Sequence, residues 1–239
     1  DDFDESNLKE ISSRLEFQIK GALSEIGFEA FDIKLSKRPS EIDEKLRDFW
    51  GGYQLEFKLI EYAKKRGIEN DINTIRRNAS VVGPDQRRIF TIDISRFEYV
   101  KDKIKKEFEG YIIYVYAPEL MICEKLRSIC QQMDKYRAIV KSKNKTARAR
   151  DFFDIYTLQE HFKFDLRDGR IADLIRAVFG AKKVPIFLLG KIEETREFHR
   201  EDFISVKDTV INPAELKDFD YYFDYVIDIC KALKPLWIE

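Results

Sequence analysis

The hydrophobic period of this chain changes near residue 118, and no other feature limits the possible folds as much. Before that point, YQLEFKL at residues 53–59 alternates Tyr53, Leu55, Phe57 and Leu59 with Gln54, Glu56 and Lys58. RRIFTIDIS at residues 87–95 likewise sets Phe90, Ile92 and Ile94 against Thr91, Asp93 and Ser95. A period of two places the two sets on opposite faces of a sheet. After residue 118, Leu120, Cys123, Leu126, Ile129 and Cys130, then Phe152, Ile155, Tyr156 and Leu158, then Ile171, Leu174, Ile175 and Val178 keep a helical period. That period lays apolar side chains along one stripe. One segment cannot serve both periods, so the expected fold class is α+β, with an α/β part over residues 1–117 and a helical part over 118–239. No Gly/Ser-rich linker, internal repeat or low-complexity segment interrupts the chain.

Within this frame, Leu8, Ile11, Leu15, Ile19, Leu23 and Ile26 predict a first helix that starts at Ser6-Asn7 and stops at Gly27. Residues 28–35 read as a strand. A charged helix is expected over 61–66, a polar loop through Gly83-Pro84, and a lysine-rich helix near 97–109. YIIYVYAP after Gly110 reads as a short strand that Pro118 ends. Phe219, Tyr222, Phe223, Val226, Ile229, Cys230 and Leu233 predict a last amphipathic helix ended by Pro235.

With 44% hydrophobic residues, 36% charged residues and 19 Phe among 239 residues, the chain can bury a core, and disorder is excluded as its main state. Its formal charge is −1, so contact with nucleic acid must come from a local basic patch. Three cysteines, Cys123, Cys130 and Cys230, are too few and too odd for a disulfide framework. Cys123 and Cys130, seven apart on one helical face, read as core, and with only His161 and His199 besides, no structural zinc is expected. No apolar stretch of membrane-spanning length and no signal-peptide pattern occurs, so the cytoplasm is the expected compartment and no membrane partner is expected. The sequence begins at Asp1 without a Met, as a truncated one would.

Several residue groups could carry chemistry. If Asp1-Asp2-Phe3-Asp4 ends a strand, Asp2 and Asp4 project to one side and could hold Mg²⁺ or Mn²⁺ against nucleotide phosphates; a solvated acidic terminus is the other reading. Asp93 is unusual in mid-strand. It reads either as a third carboxylate for the same metal or as an Asp on a solvent-facing sheet, and Glu56 competes for the role. Lys125, at the edge of a helical apolar face, could meet phosphates as a point charge or snorkel to solvent. The segment KSKNKTARARD at residues 141–151 brings Lys141, Lys143, Lys145, Arg148 and Arg150 together. Such a run binds RNA or nucleotide phosphates, or forms a solvated loop. Asp151 and Asp154 fall in the first turn of the following helix, where they could serve as caps.

Together, DDFD at residues 1–4, the helix around Lys125, and Arg-x-Arg-Asp followed by FFDIY at residues 148–156 resemble the AbiEii/AbiGii nucleotidyltransferase toxins of bacterial abortive-infection and type IV toxin–antitoxin systems. The resemblance covers most of the chain in motif order. It implies a polymerase-β-like minimal nucleotidyltransferase domain with a mixed sheet, joined to a helical domain, with NTP in the cleft between them. The family's glycine turn would lie upstream of Asp1. Its lysine motif matches Lys125, and its Arg-x-Lys-Asp motif matches Arg148, Arg150 and Asp151, with Arg replacing Lys. Gly51-Gly52 is not that turn, because no Asp-x-Asp strand follows it. The implied activity is transfer of an NMP from an NTP to RNA such as tRNA. In that scheme Asp2, Asp4 and Asp93 are catalytic and metal-binding, Lys125, Arg148, Arg150 and Asp151 nucleotide-binding, and Lys141, Lys143 and Lys145 RNA-binding. A cognate antitoxin is the implied protein partner. The alternative is a catalytically silent member of the fold that binds nucleotide, RNA or a protein.

Overall fold

A computed structural model describes residues 7–82, 85–141 and 145–238. The chain forms two compact units, residues 1–97 and 98–239. Expectations that rest on Asp2, Asp4 and Lys143 lie outside the described residues.

In the first unit, helix α1 (Leu8–Glu25) precedes an antiparallel sheet of β1 (Phe28–Arg38), β2 (Gly52–Glu61) and β3 (Phe90–Ser95), with β2 in the centre. Alternation along β2 fixes the layering. Leu55, Phe57 and Leu59 join Ala30 on one face, where Leu15, Ile19 and Leu23 of α1 cover them. Ile60, Phe31, Ile75 and Ala79 pack on the other. The register of β1 shifts between Phe31 and Lys34, with Asp32 in the left-handed region, a conformation that one class of bulge adopts. Asp32 accepts hydrogen bonds from Arg76 (2.7 and 2.8 Å) and Lys58 (2.9 Å), and the Arg76 bonds hold its carboxyl down to about 2. A short helix α2 (Tyr62–Lys65) and helix α3 (Ile72–Asn78) follow β2. Helix α3 occupies the expected polar loop: Asp71 accepts from the backbone N–H groups of Asn73 and Thr74, a cap that makes so short a helix viable.

In the second unit, the expected lysine-rich helix near 97–109 is instead strand β4 (Lys103–Phe108), paired with β5 (Tyr111–Tyr116). Helix propensity is a weak prior. Here Glu109 and Gly110 both take positive φ, 51° and 82°, closing a two-residue hairpin of the kind that matches strand twist. All described strand pairs are antiparallel. Pro118, expected to end the strand, opens helix α4 (Pro118–Cys130) at a position where its missing N–H costs nothing. The remaining helices are α5 (Asp134–Arg137), α6 (Ala149–Phe162), α7 (Gly169–Ala181), α8 (Arg196–Arg200), α9 (Phe203–Lys207) and α10 (Phe219–Ala232). Leu120, Leu126 and Ile129 of α4 are fully buried, as are Phe152 and Ile155 of α6, Ile175 of α7 and Phe223 of α10. The three cysteines are buried and free. Among the described residues no helix is long and apolar enough to cross a membrane.

Candidate nucleotide site

The helical period that buries α4 and α6 also aims their edge residues at one another. On α6, Ala149, Phe152 and Ile155 face the core, which leaves Asp151 and Asp154, three apart, at its margin. On α4, Leu126 and Ile129 are buried, and the Lys125 ammonium reaches both carboxylates, donating to Asp151 at 3.2 Å and to Asp154 at 2.7 Å. Arg148 Nε donates to Asp151 at 2.6 Å, and Arg150 Nε to Asp154 at 2.8 Å. Three cations therefore share two carboxylates, leaving one positive charge in excess. Among the described residues neither carboxylate accepts from a backbone N–H of the helix: their partners are side chains.

Four residues singled out in sequence, Lys125, Arg148, Arg150 and Asp151, are thus brought together, and Asp154 completes the set. Its signal was in the sequence as the second acid of Asp-x-x-Asp. Lys145 turns elsewhere, pairing with Asp134 at 2.7 Å and lying over the Phe198 ring. Lys141 is exposed. Asp93 belongs to the first unit, in mid-β3 as expected. It is exposed, and its near partner is an amide rather than a cation: Gln54 Nε2 donates to it at 2.9 Å, while Gln54 Oε1 accepts from Arg38. Among the described residues no three His, Cys, Asp or Glu side chains converge as a metal site.

His199 was not a candidate in the sequence, where a lone His carries no pattern. Its fully buried Nδ1 accepts the Arg148 backbone N–H at 3.0 Å, fixing the start of α6, and among the described residues the buried Nε2 has no hydrogen-bond partner. Burial, reinforced by the nearby Arg148 charge, lowers its pKa from 6.5 to about 4. The imidazole is therefore neutral in the folded state at pH 7. Because the folded pKa lies below the unfolded one, this group contributes stability that is whole above pH 6.5 and is lost as pH falls towards 4, by about 3 kcal/mol. Denaturant titrations should show the stability loss from pH 7 to pH 4 shrinking by about that amount in His199→Asn. An identical pH dependence in the variant would refute it.

A family model described as nucleotidyl transferase AbiEii toxin, type IV TA system, matches residues 7–225. The matched span includes Asp93, Lys125, Arg148, Arg150, Asp151 and Asp154 and begins after the opening acidic residues. No curated protein and no solved structure matches the chain.

Proposed function

The chain belongs to the AbiEii family of nucleotidyl transferase toxins of type IV toxin–antitoxin systems, and we propose that it moves an NMP from an NTP to an RNA acceptor of the tRNA class. The family implies a nucleotide substrate and an antitoxin partner. The observation that carries the reading within this chain is the Lys125 ammonium held between Asp151 and Asp154, with Arg148 and Arg150 on the same two carboxylates.

In the proposed reaction an acceptor hydroxyl attacks the α-phosphorus, the bond from that phosphorus to the β-phosphate oxygen breaks, and pyrophosphate leaves with the electron pair. Such chemistry depends on position and charge neutralisation more than on covalent help. Lys125, Arg148 and Arg150 hold the phosphates, and Asp151 orients Lys125 and Arg148. Lys141, Lys143 and Lys145 supply sequence-independent attraction for RNA. Asp93 serves as third metal ligand or as the base that takes the hydroxyl proton, and Asp2 and Asp4 are the other proposed ligands. A hard dication takes carboxylate and phosphate oxygens, and the exposed Asp93, which accepts from Gln54 at 2.9 Å, is a donor of that kind. When bound, Mg²⁺ neutralises phosphate charge.

The test is transfer of label from each α-³²P NTP to total tRNA with Mg²⁺, resolved on a denaturing gel. RNA should be labelled with at least one NTP, and Asp2→Ala and Asp4→Ala should each abolish labelling. If both variants label RNA like the unaltered chain, the acidic assignment is wrong. Nucleotide binding without labelling would identify a silent member of the family.

A further inference from the structure

Gly51-Gly52 has no part in the proposed transfer site, yet the backbone there admits little but glycine. Gly51 has φ +119°, which L side chains rarely adopt. At Gly52 a Cβ would stand 2.3 Å from the Ile94 carbonyl oxygen, a backbone atom that cannot swing away. The preceding turn, Glu44–Leu46, is tied down by Phe49, which is 3% exposed, and by the Trp50 N–H bond to Leu46 at 2.8 Å. Gly51 accepts the Arg96 backbone N–H at 3.2 Å. The backbone of Arg96 is thereby fixed against that of Gly51, which follows Trp50 in the chain.

These residues wall a cavity of about 700 Å³ at one end of the sheet, where Arg38, Gly52 and Ser95 stand in register across β1, β2 and β3. Its volume is in the range of ligand sites, but its lining is charged. Lys37, Arg38, Arg47 and Arg96 outnumber Glu41 and Asp48 in the lining, and Glu56, outside it, lies 3.4 Å from Arg38, in a chain whose formal charge is −1. The half-buried Trp50 adds an aromatic surface to this cationic wall. Cations beside an aromatic ring suit a phosphate joined to a stacking base. Arg38 also ties the cavity to the proposed base or metal ligand, since it donates to the same Gln54 amide that donates to Asp93.

We propose that this cavity binds a nucleotide unit of a single RNA strand, with Arg38, Arg47, Arg96 and Lys37 on its phosphates and a base against Trp50. A strand fits better than a free nucleotide, because the four cations come from three separate backbone segments and are exposed. The inference rests on the acceptor being RNA and gives that acceptor a place.

Binding of fluorescein-labelled dodecauridylate to the full chain, followed by anisotropy from 50 to 300 mM salt, tests it without turnover. The Arg47→Gln/Arg96→Gln double variant should bind about tenfold more weakly, with a salt slope shallower by about 0.7 for each cation removed. Trp50→Leu should lose about tenfold with the slope unchanged, and Arg176→Gln, on an exposed face of α7, should change neither. Thermal melts of each variant check that it is folded. Unchanged affinity and slope in the folded double variant would overturn the proposal. So would full displacement of the oligonucleotide by ATP at equal nucleotide concentration, which would mark a free-nucleotide pocket. A chain that binds RNA here yet labels none would refute the transfer reaction and leave this site standing.

Discussion

Replacing Lys125 with Met is expected to lower kcat/KM for label transfer by about 10²–10³-fold, the usual loss when one preorganised charge donor is removed from a reacting phosphate or oxyanion. Met keeps the length and apolar stem of lysine, so the α4 face that buries Leu126 and Ile129 is undisturbed and the melting temperature should stay within a few degrees. What changes is the charge. Asp151 and Asp154 would retain only Arg148 and Arg150, one cation for each carboxylate, and the excess positive charge that favours a triphosphate would be gone. The loss should therefore appear in KM for NTP as well as in kcat. Steady-state labelling at varied NTP concentration separates the two, and a variant within twofold of the unaltered chain in both would remove Lys125 from the machinery.

That cluster was legible in the sequence in part, for physical reasons. Arg148, Arg150 and Asp151 stand out because their spacing accompanies a helical stripe, Phe152 and Ile155, whose burial fixes which residues lie at its margin. Lys125 could be placed at the edge of its own stripe, but nothing in one helix says which carboxylate its ammonium meets 26 and 29 residues away. His199 was invisible for the same reason: it is 51 residues from the backbone N–H it accepts. The fold shows the same division. The stripes of α1 and α10 and the alternation of β2 were readable because each repeats over several turns or residues. Strand β4 was not, because KIKKEF has only two apolar residues and its strand state comes from the Glu109-Gly110 turn and pairing with β5. Helix α3 was missed because seven residues carry too few periods, and its strongest signal was the single side chain of Asp71.

The second large effect concerns stability. Replacing Arg127 with Met should cost about 3–5 kcal/mol at pH 7, the usual result of removing one partner from a buried ionic group, and should lower the melting temperature by roughly 10 °C. Arg127 is 6% exposed on α4. It donates to Glu124 through Nε at 2.9 Å and lies 3.5 Å from Glu98, which also pairs with Lys182 at 3.2 Å. Two carboxylates and two cations are thus withdrawn from water together. Burial pushes the Glu124 carboxyl above its ordinary value, and Arg127 opposes that rise. Burial and these carboxylates also push the Tyr116 hydroxyl up to about 12. Without Arg127 the Glu124 pKa should rise further above its unfolded value. A group raised on folding favours the native state below its unfolded pKa and loses that contribution as pH climbs through the folded pKa, so the deficit of the variant should be larger at pH 8 than at pH 5. Adding Glu124→Gln to Arg127→Met should recover at least half of the loss at pH 8, because the stranded charge goes with it. Urea denaturation of the single and double variants at the two pH values decides the matter. A deficit that is independent of pH and not relieved by Glu124→Gln would mean that Arg127 acts through packing of its stem rather than through its charge.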